Sequence, residues 1–219
     1  MTIEQAQDFV ERMAPNPYYH DHYRGYEADY LQGVADVVSE QPPGLRVLEV
    51  GPGWRTLAVW MASMDYEVTV LDYLPLGTFM APALLDETHI RYVQGAIDQD
   101  VAPAGLEPGY ELVVMTQVLP HLKWSPADAV RNVASTMHQD GLLVTSALDA
   151  ECYPHIVPAH RHWAHVPQWS PGAEPTPELE VCMYTRDTLR DLLDLAFTSV
   201  RVWRPEGSTT MLATCRGVS

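Results

Sequence analysis

Apolar positions along the chain switch repeatedly between a helical period and short unbroken runs, the alternation that an α/β fold requires. Residues 3–13 and 26–39 read as helices, the second with Leu31, Val34 and Val38 on one face, and Gln41-Pro42-Pro43-Gly44 ends it. Residues 46–50 read as a first strand, and Leu57, Trp60, Met61 and Met64 make the i, i+3, i+4, i+7 stripe of the helix behind it. Residues 67–71, 90–93 and 111–115 are the next three strands. Ser125-Pro126-Ala127-Asp128 offers an N-cap, a proline at the first helical position and an acid at the third, ahead of Val130, Val133, Ala134 and Met137. That helix is expected to stop at Asp140-Gly141, with a fifth strand over 142–146. A last helix carries Leu189, Leu192, Leu193 and Ala196, and strands at 199–203 and 209–215 close the pattern. The short link 204–208 predicts that these two pair antiparallel. The whole reads as a doubly wound, mostly parallel sheet.

The most specific chemistry sits where the first strand ends. Val47-Leu48-Glu49-Val50-Gly51-Pro52-Gly53 runs an apolar stretch into a glycine turn, and Asp72 closes the second strand. Glycines let backbone approach a ligand, and such an acid accepts from both hydroxyls of a ribose. A dinucleotide site would close with a third glycine where Thr56 stands, and a phosphate-cradling loop would end in Gly-Lys-Ser/Thr; neither is present. Glu49-x-Gly51-x-Gly53 with Asp72 resembles the class I S-adenosylmethionine-dependent methyltransferase family. Gly95-Ala96-Ile97-Asp98 and the run from Leu112 through Gln117, Val118 and His121 to Leu122 extend the resemblance over residues 45–148.

The resemblance implies a seven-stranded sheet in the order 3-2-1-4-5-7-6 with one antiparallel strand. It implies S-adenosylmethionine as cofactor and S-adenosylhomocysteine as product. Gly51, Pro52 and Gly53 would line the methionyl and ribose portion, with Glu49 beneath the amino group. Asp72, with Tyr73 beside it, would hold the ribose. Ala96, Ile97 and Asp98 would meet the adenine edge, and Gln117 and Val118 would face the sulfonium. Arg55 stands where the family often has a third small residue, and Ala96 where it often has an acid. An arginine at a helix start is unfavourable beside the dipole, so Arg55 is either a surface side chain or a partner for the cofactor's carboxylate.

Composition narrows the partners. At 219 residues and 47% apolar content the chain fits one domain. We divide it into an N-terminal helical lid (1–44), a cofactor core (45–148), a substrate-side insertion (149–183) and a C-terminal helix and hairpin (184–219). The net charge is −16 and the only lysine is Lys123, so a phosphate backbone or anionic membrane would be repelled. Three cysteines without paired spacing fit a reducing, cytoplasmic setting. The amino terminus lacks a signal-peptide segment, and no apolar run reaches spanning length. Lysine scarcity beside abundant Ala, Arg and Pro hints at a GC-rich bacterial source and a role in secondary metabolism. A monomer or homodimer is expected.

Two segments outside the shared core are the expected determinants of substrate. Tyr18-Tyr19-His20-Asp21-His22-Tyr23 packs five rings ahead of a helix. It reads either as a lid, with Tyr18 or Tyr19 near the ligand and Tyr19 and Tyr23 toward the substrate, or as aromatics packed on the sheet's flank. Residues 149–183 carry His155, His160, His162, His165, Trp163 and six prolines from Pro154 to Pro177. A loop this long in a compact domain is usually functional. His160-x-His162-x-x-His165 could hold a transition metal, but the spacing matches no standard metal motif, so no metal is assigned and the histidines are expected at the substrate pocket or a subunit contact, with His155 and Trp163 at the substrate.

Methyl transfer asks mainly for alignment of acceptor and donor. If the acceptor is a hydroxyl, a histidine base is the natural choice. His121 follows strand four on the site edge and is the first candidate, with packing as the competing role; His20 and His22 rank next. The expected activity is methyl transfer to an oxygen or nitrogen of a small aromatic or polycyclic metabolite. The competing readings are a non-methylating protein on the same fold, a cyclase or a regulatory binding subunit, and, weakened by Thr56, a nicotinamide oxidoreductase.

Overall fold

Strands form at Arg46–Val50 (β1), Glu67–Asp72 (β2), Arg91–Gln94 (β3), Tyr110–Thr116 (β4), Met137–Leu148 (β5), Phe197–Trp203 (β6) and Thr210–Val218 (β7). They make one sheet ordered β3-β2-β1-β4-β5-β7-β6 in the computed structural model, which describes residues 1–16, 18–78, 81–99, 101–175 and 181–219. β7 runs antiparallel to both β5 and β6, and every other pairing is parallel. This is the order, and the single reversed strand, that the resemblance implies.

Central strands have no solvent face. Val47, Val70, Leu112 and Val144 join one apolar cluster, while Leu48, Leu71, Val113 and Leu143, one residue along, join the other. Helices α1 (Ile3–Met13), α2 (Arg24–Ser39), α3 (Thr56–Ala62) and α4 (Pro82–Thr88) cover the first face through Val10, Leu31, Val34, Leu57 and Leu84. Helices α5 (Pro126–Thr136) and α6 (Arg186–Leu193) cover the second through Val130, Val133, Leu189 and Leu192. Among the described residues no helix is long and apolar enough to cross a membrane.

Three local expectations need correction. The helix after β4 ends at Thr136 rather than Asp140, and β5 starts at Met137. Tyr110 pairs with Met137 and Leu112 with Leu142, so the β5 side of the ladder bulges between them. Gly141 serves that bulge: a Cβ there would stand 2.9 Å from the His138 carbonyl and 3.0 Å from the Tyr110 carbonyl. Ser125 occupies the N-cap of α5 without a side-chain cap bond. Met64 lies beyond the end of α3, which stops at Ala62 before Asp65 turns left-handed at φ +62°.

The ring-rich N-terminal segment is itself helical. A π-helical turn, Tyr19–Tyr23, runs straight into α2. Tyr23, Glu27, Tyr30 and Leu31 of this turn and α2 meet the carboxyl ends of the parallel strands, the edge where ligands of open α/β sheets bind.

Candidate active site

At that edge lies a cavity of about 970 Å³. Its floor is the end of β1 with the turn Gly51-Pro52-Gly53-Trp54, and one side is Asp72, Tyr73 and Leu74 after β2. The loop Gly95–Gln99 and the stretch Thr116–Val118 with His121 make the far walls, and Tyr23, Glu27, Tyr30 and Leu31 of the lid helix close over it.

The glycine turn is built by necessity. Gly51 has φ +63° and donates its N–H to the Leu71 carbonyl at 2.8 Å. A Cβ there would stand 2.6 Å from Val118 Cγ2, so side chain is excluded twice over. Gly53, at φ +50°, has nothing within 4 Å of its Cβ position and leaves backbone open to the cavity. Arg55 adopts φ +71° at the N-cap of α3, a conformation that costs a non-glycine residue about 1–2 kcal/mol. The residue is 2% exposed and does not line the cavity. It is neither a surface arginine nor a cavity contact, and its charge interacts with Asp72 and Tyr92. Burial lowers its pKa to about 10, opposed by those two groups.

Carboxylates dominate the site. Asp72 accepts from the Leu74 N–H at 3.0 Å; burial raises its pKa, opposed by backbone N–H groups and by Arg55. Asp98 accepts from the Trp124 N–H at 2.9 Å, and burial raises its pKa too. Glu49 is 2% exposed, and its Oε2 has no hydrogen-bond partner among the described residues. Burial holds its carboxyl well above the ordinary range, and the charge of Glu27 pushes the same way. Opposite, Gln117 sits at φ +55°, with its Nε2 donating to Thr210 Oγ1 at 3.2 Å and its buried Oε1 unpartnered among the described residues.

The lid contributes differently from expectation. Tyr18 is 60% exposed and does not line the cavity. Tyr19 is buried behind the wall, its hydroxyl donating to Glu27 Oε2 at 2.6 Å and its ring 5.1 Å from that of Trp54. Tyr23 does line the cavity, its ring 5.9 Å from Trp54. His20 pairs with Glu11 beside a separate shallow hollow that Arg24 also lines. The His22 side chain lies outside the described residues. From the insertion, Pro175 reaches the cavity, whereas His155 lies against Tyr153 and Trp163 against the α5 and α6 core, so neither meets the site. In this structure Tyr18, Tyr19, His155 and Trp163 do not line the cavity: Tyr18 and His155 are exposed, Tyr19 is buried, and Trp163 packs against the core. Among the described residues no cluster of three or more His, Cys, Asp or Glu could hold a metal ion.

The motifs do not reach Glu27, Tyr30, Trp54, Trp124 or Asn132. Asn132 of α5 donates to the Ile97 and Gln99 carbonyls at 2.8 and 2.7 Å and so fastens the loop that carries Asp98. For Glu27 a signal exists: it precedes Leu31 by four residues and Val34 by seven, an acid on an apolar stripe.

A family profile described as a methyltransferase domain matches residues 19–196. This chain belongs to the methyltransferase-domain family. No curated protein matches it. Among solved structures, this methyltransferase is similar to the N-methyltransferase NodS from Bradyrhizobium japonicum WM9, bound to S-adenosylhomocysteine, at 18% identity and TM-score 0.60 over 97% of this chain and 98% of that one. It is similar at 17% identity and TM-score 0.64 to DhpI bound to the same nucleoside, over 98% and 96%. A Burkholderia thailandensis 1,6-didemethyltoxoflavin-N1-methyltransferase, holding 1,6-didemethyltoxoflavin and S-adenosylhomocysteine, is 15% identical with TM-score 0.61 over 98% and 88%. Identities this low carry the fold: the methyltransferase has the class I S-adenosylmethionine-dependent architecture.

Proposed function

We propose that the protein transfers a methyl group from S-adenosylmethionine to an oxygen or nitrogen of a small aromatic or polycyclic molecule. One observation carries the cofactor: two buried polar atoms without a partner among the described residues, Glu49 Oε2 and Gln117 Oε1, belong to residues that line a cavity whose floor is the open backbone at Gly53. Polar atoms left unpaired in an interior cost stability unless a ligand satisfies them. A nucleoside with an ammonium, a sulfonium and a ribose fits this set of acceptors, because four of the lining groups are the acids Glu27, Glu49, Asp72 and Asp98.

On this reading Asp72 holds the ribose, Glu49 the amino group, and the loop at Ile97 and Asp98 the adenine. The cofactor supplies an electrophilic methyl. The chain's own task is to hold the acceptor in line and keep water out, which Tyr23, Tyr30 and Trp54 do with apolar surface. His121 lies beside Gln117 and Val118 on the wall and takes the acceptor's proton when that acceptor is a hydroxyl. The neighbours' names support a small acceptor: one was crystallised with 1,6-didemethyltoxoflavin, and two are N-methyltransferases. The cavity, near the upper end of small-ligand pockets, suits a nucleoside plus a compact second molecule. A cytoplasmic, secondary-metabolic role belongs to the same proposal, as does the lack of nucleic-acid partners, which the net charge of −16 supports. Titration calorimetry with S-adenosylhomocysteine, followed by labelled-methyl transfer across a panel of phenols and amines, tests it. No binding removes the cofactor reading; binding without transfer across the panel points to a non-methylating protein.

A further inference from the structure

Glu27 comes from the lid helix, not from a strand end, yet it faces the same cavity as Glu49. A single oxygen, Oε2, accepts from the Tyr19 hydroxyl at 2.6 Å, the Thr56 hydroxyl at 2.9 Å and the Gln7 amide at 3.3 Å. Those donors belong to the π-helical turn, α3 and α1, so one carboxylate oxygen ties three elements together and fixes the orientation of the group. The residue is 3% exposed. Among the described residues no ion pair reaches Glu27 or Glu49; Arg24, the basic group whose charge bears on Glu27, is bonded to Asp8 and Glu11 at 2.6 Å each. Independently, Glu49, which lines the same cavity, has a buried Oε2 that is unpartnered among the described residues. Two buried carboxylates with no bonded cation between them are unfavourable until a positive group arrives.

We infer that Glu27 is a second anion of the cofactor site and, with Glu49, brackets the ammonium group of the methionyl tail. This rests on the cofactor reading above. The lid then senses the ligand directly: the oxygen that holds Gln7, Tyr19 and Thr56 belongs to the carboxylate that meets the ammonium.

The test uses Glu27→Gln, whose carbonyl keeps the acceptor for Tyr19, Thr56 and Gln7 while its amide removes the charge. Binding of three probes is measured by calorimetry on wild type and variant: S-adenosylmethionine, S-adenosylhomocysteine, and the homocysteine compound with hydrogen in place of its amino group. The expected result is a loss of about 10- to 100-fold for both amino-bearing probes and no loss for the deaminated one. Equal loss for all three means that Glu27 only holds the fold, and overturns the inference. A loss confined to S-adenosylmethionine assigns Glu27 to the sulfonium, which also overturns it, as does no loss at all. If wild type binds none of the three, the cofactor reading itself has failed.

Discussion

Gly51→Ala places a methyl group where the structure leaves no room. The new Cβ stands 2.6 Å from Val118 Cγ2, in a backbone held at φ +63° by the Gly51 N–H bond to Leu71. Left-handed backbone costs an alanine about 1–2 kcal/mol, and forcing a methyl into packed surroundings costs about 1–3 kcal/mol more. The sum, about 2–5 kcal/mol, corresponds at this chain length to about 2–4 °C of melting temperature per kcal/mol. Val118→Ala in the same background removes the steric part and leaves the backbone part. A double-mutant cycle by urea unfolding should therefore return a coupling of about 1–3 kcal/mol. S-adenosylhomocysteine binding should recover in step, because Val118 also lines the cavity. Additive effects of the two substitutions would refute the clash. Full recovery by Val118→Ala would refute the assigned backbone strain.

Other substitutions probe the rest of the site. Asp72→Ala should weaken S-adenosylhomocysteine by about 1.5–3 kcal/mol with melting nearly unchanged, since Asp72 is only half-buried at the strand end; unaltered affinity in calorimetry ends its ribose role. His121→Ala should lower turnover by about 10²–10⁴-fold with a hydroxyl acceptor, and retained activity returns the residue to packing. Burial raises the Glu49 carboxyl well above 4.5, so the folded chain holds that proton more tightly than the unfolded one. Its contribution to stability is full below about pH 4.5 and is lost as pH rises through the folded value. The ligand-free Glu49→Gln protein should accordingly melt above wild type near pH 8, by a margin that shrinks toward about pH 5. A margin independent of pH would show that Glu49 carries no buried charge.

Local pattern made much of the architecture legible. β1, the glycine turn, α3 and β2 follow from apolar runs, a helical stripe and residues whose conformational limits act within a few positions of themselves. The reversed β7 follows from a link too short for a crossover. Asp72 closes β2 and Asp98 sits in the short loop after β3, both within a few residues of their strand ends, and both reach the cavity.

Convergence of distant side chains is another matter, because it depends on how helices stack across a sheet and not on neighbours along the chain. The bulge that starts β5 at Met137 depends on its register against Tyr110, far off in sequence. Arg55 is buried with its charge on Asp72, and Tyr19 turns inward to Glu27 while Tyr18 stays largely exposed, through packing choices that no spacing encodes. The histidines and Trp163 of the insertion had the composition of a pocket but lie away from it. Sequence alone determined where the strands fall, apart from the start of β5, and the acid-and-glycine edge, while their order came through the family resemblance; tertiary packing decided which rings and carboxylates close over that edge, since burial and electrostatic repulsion act through space.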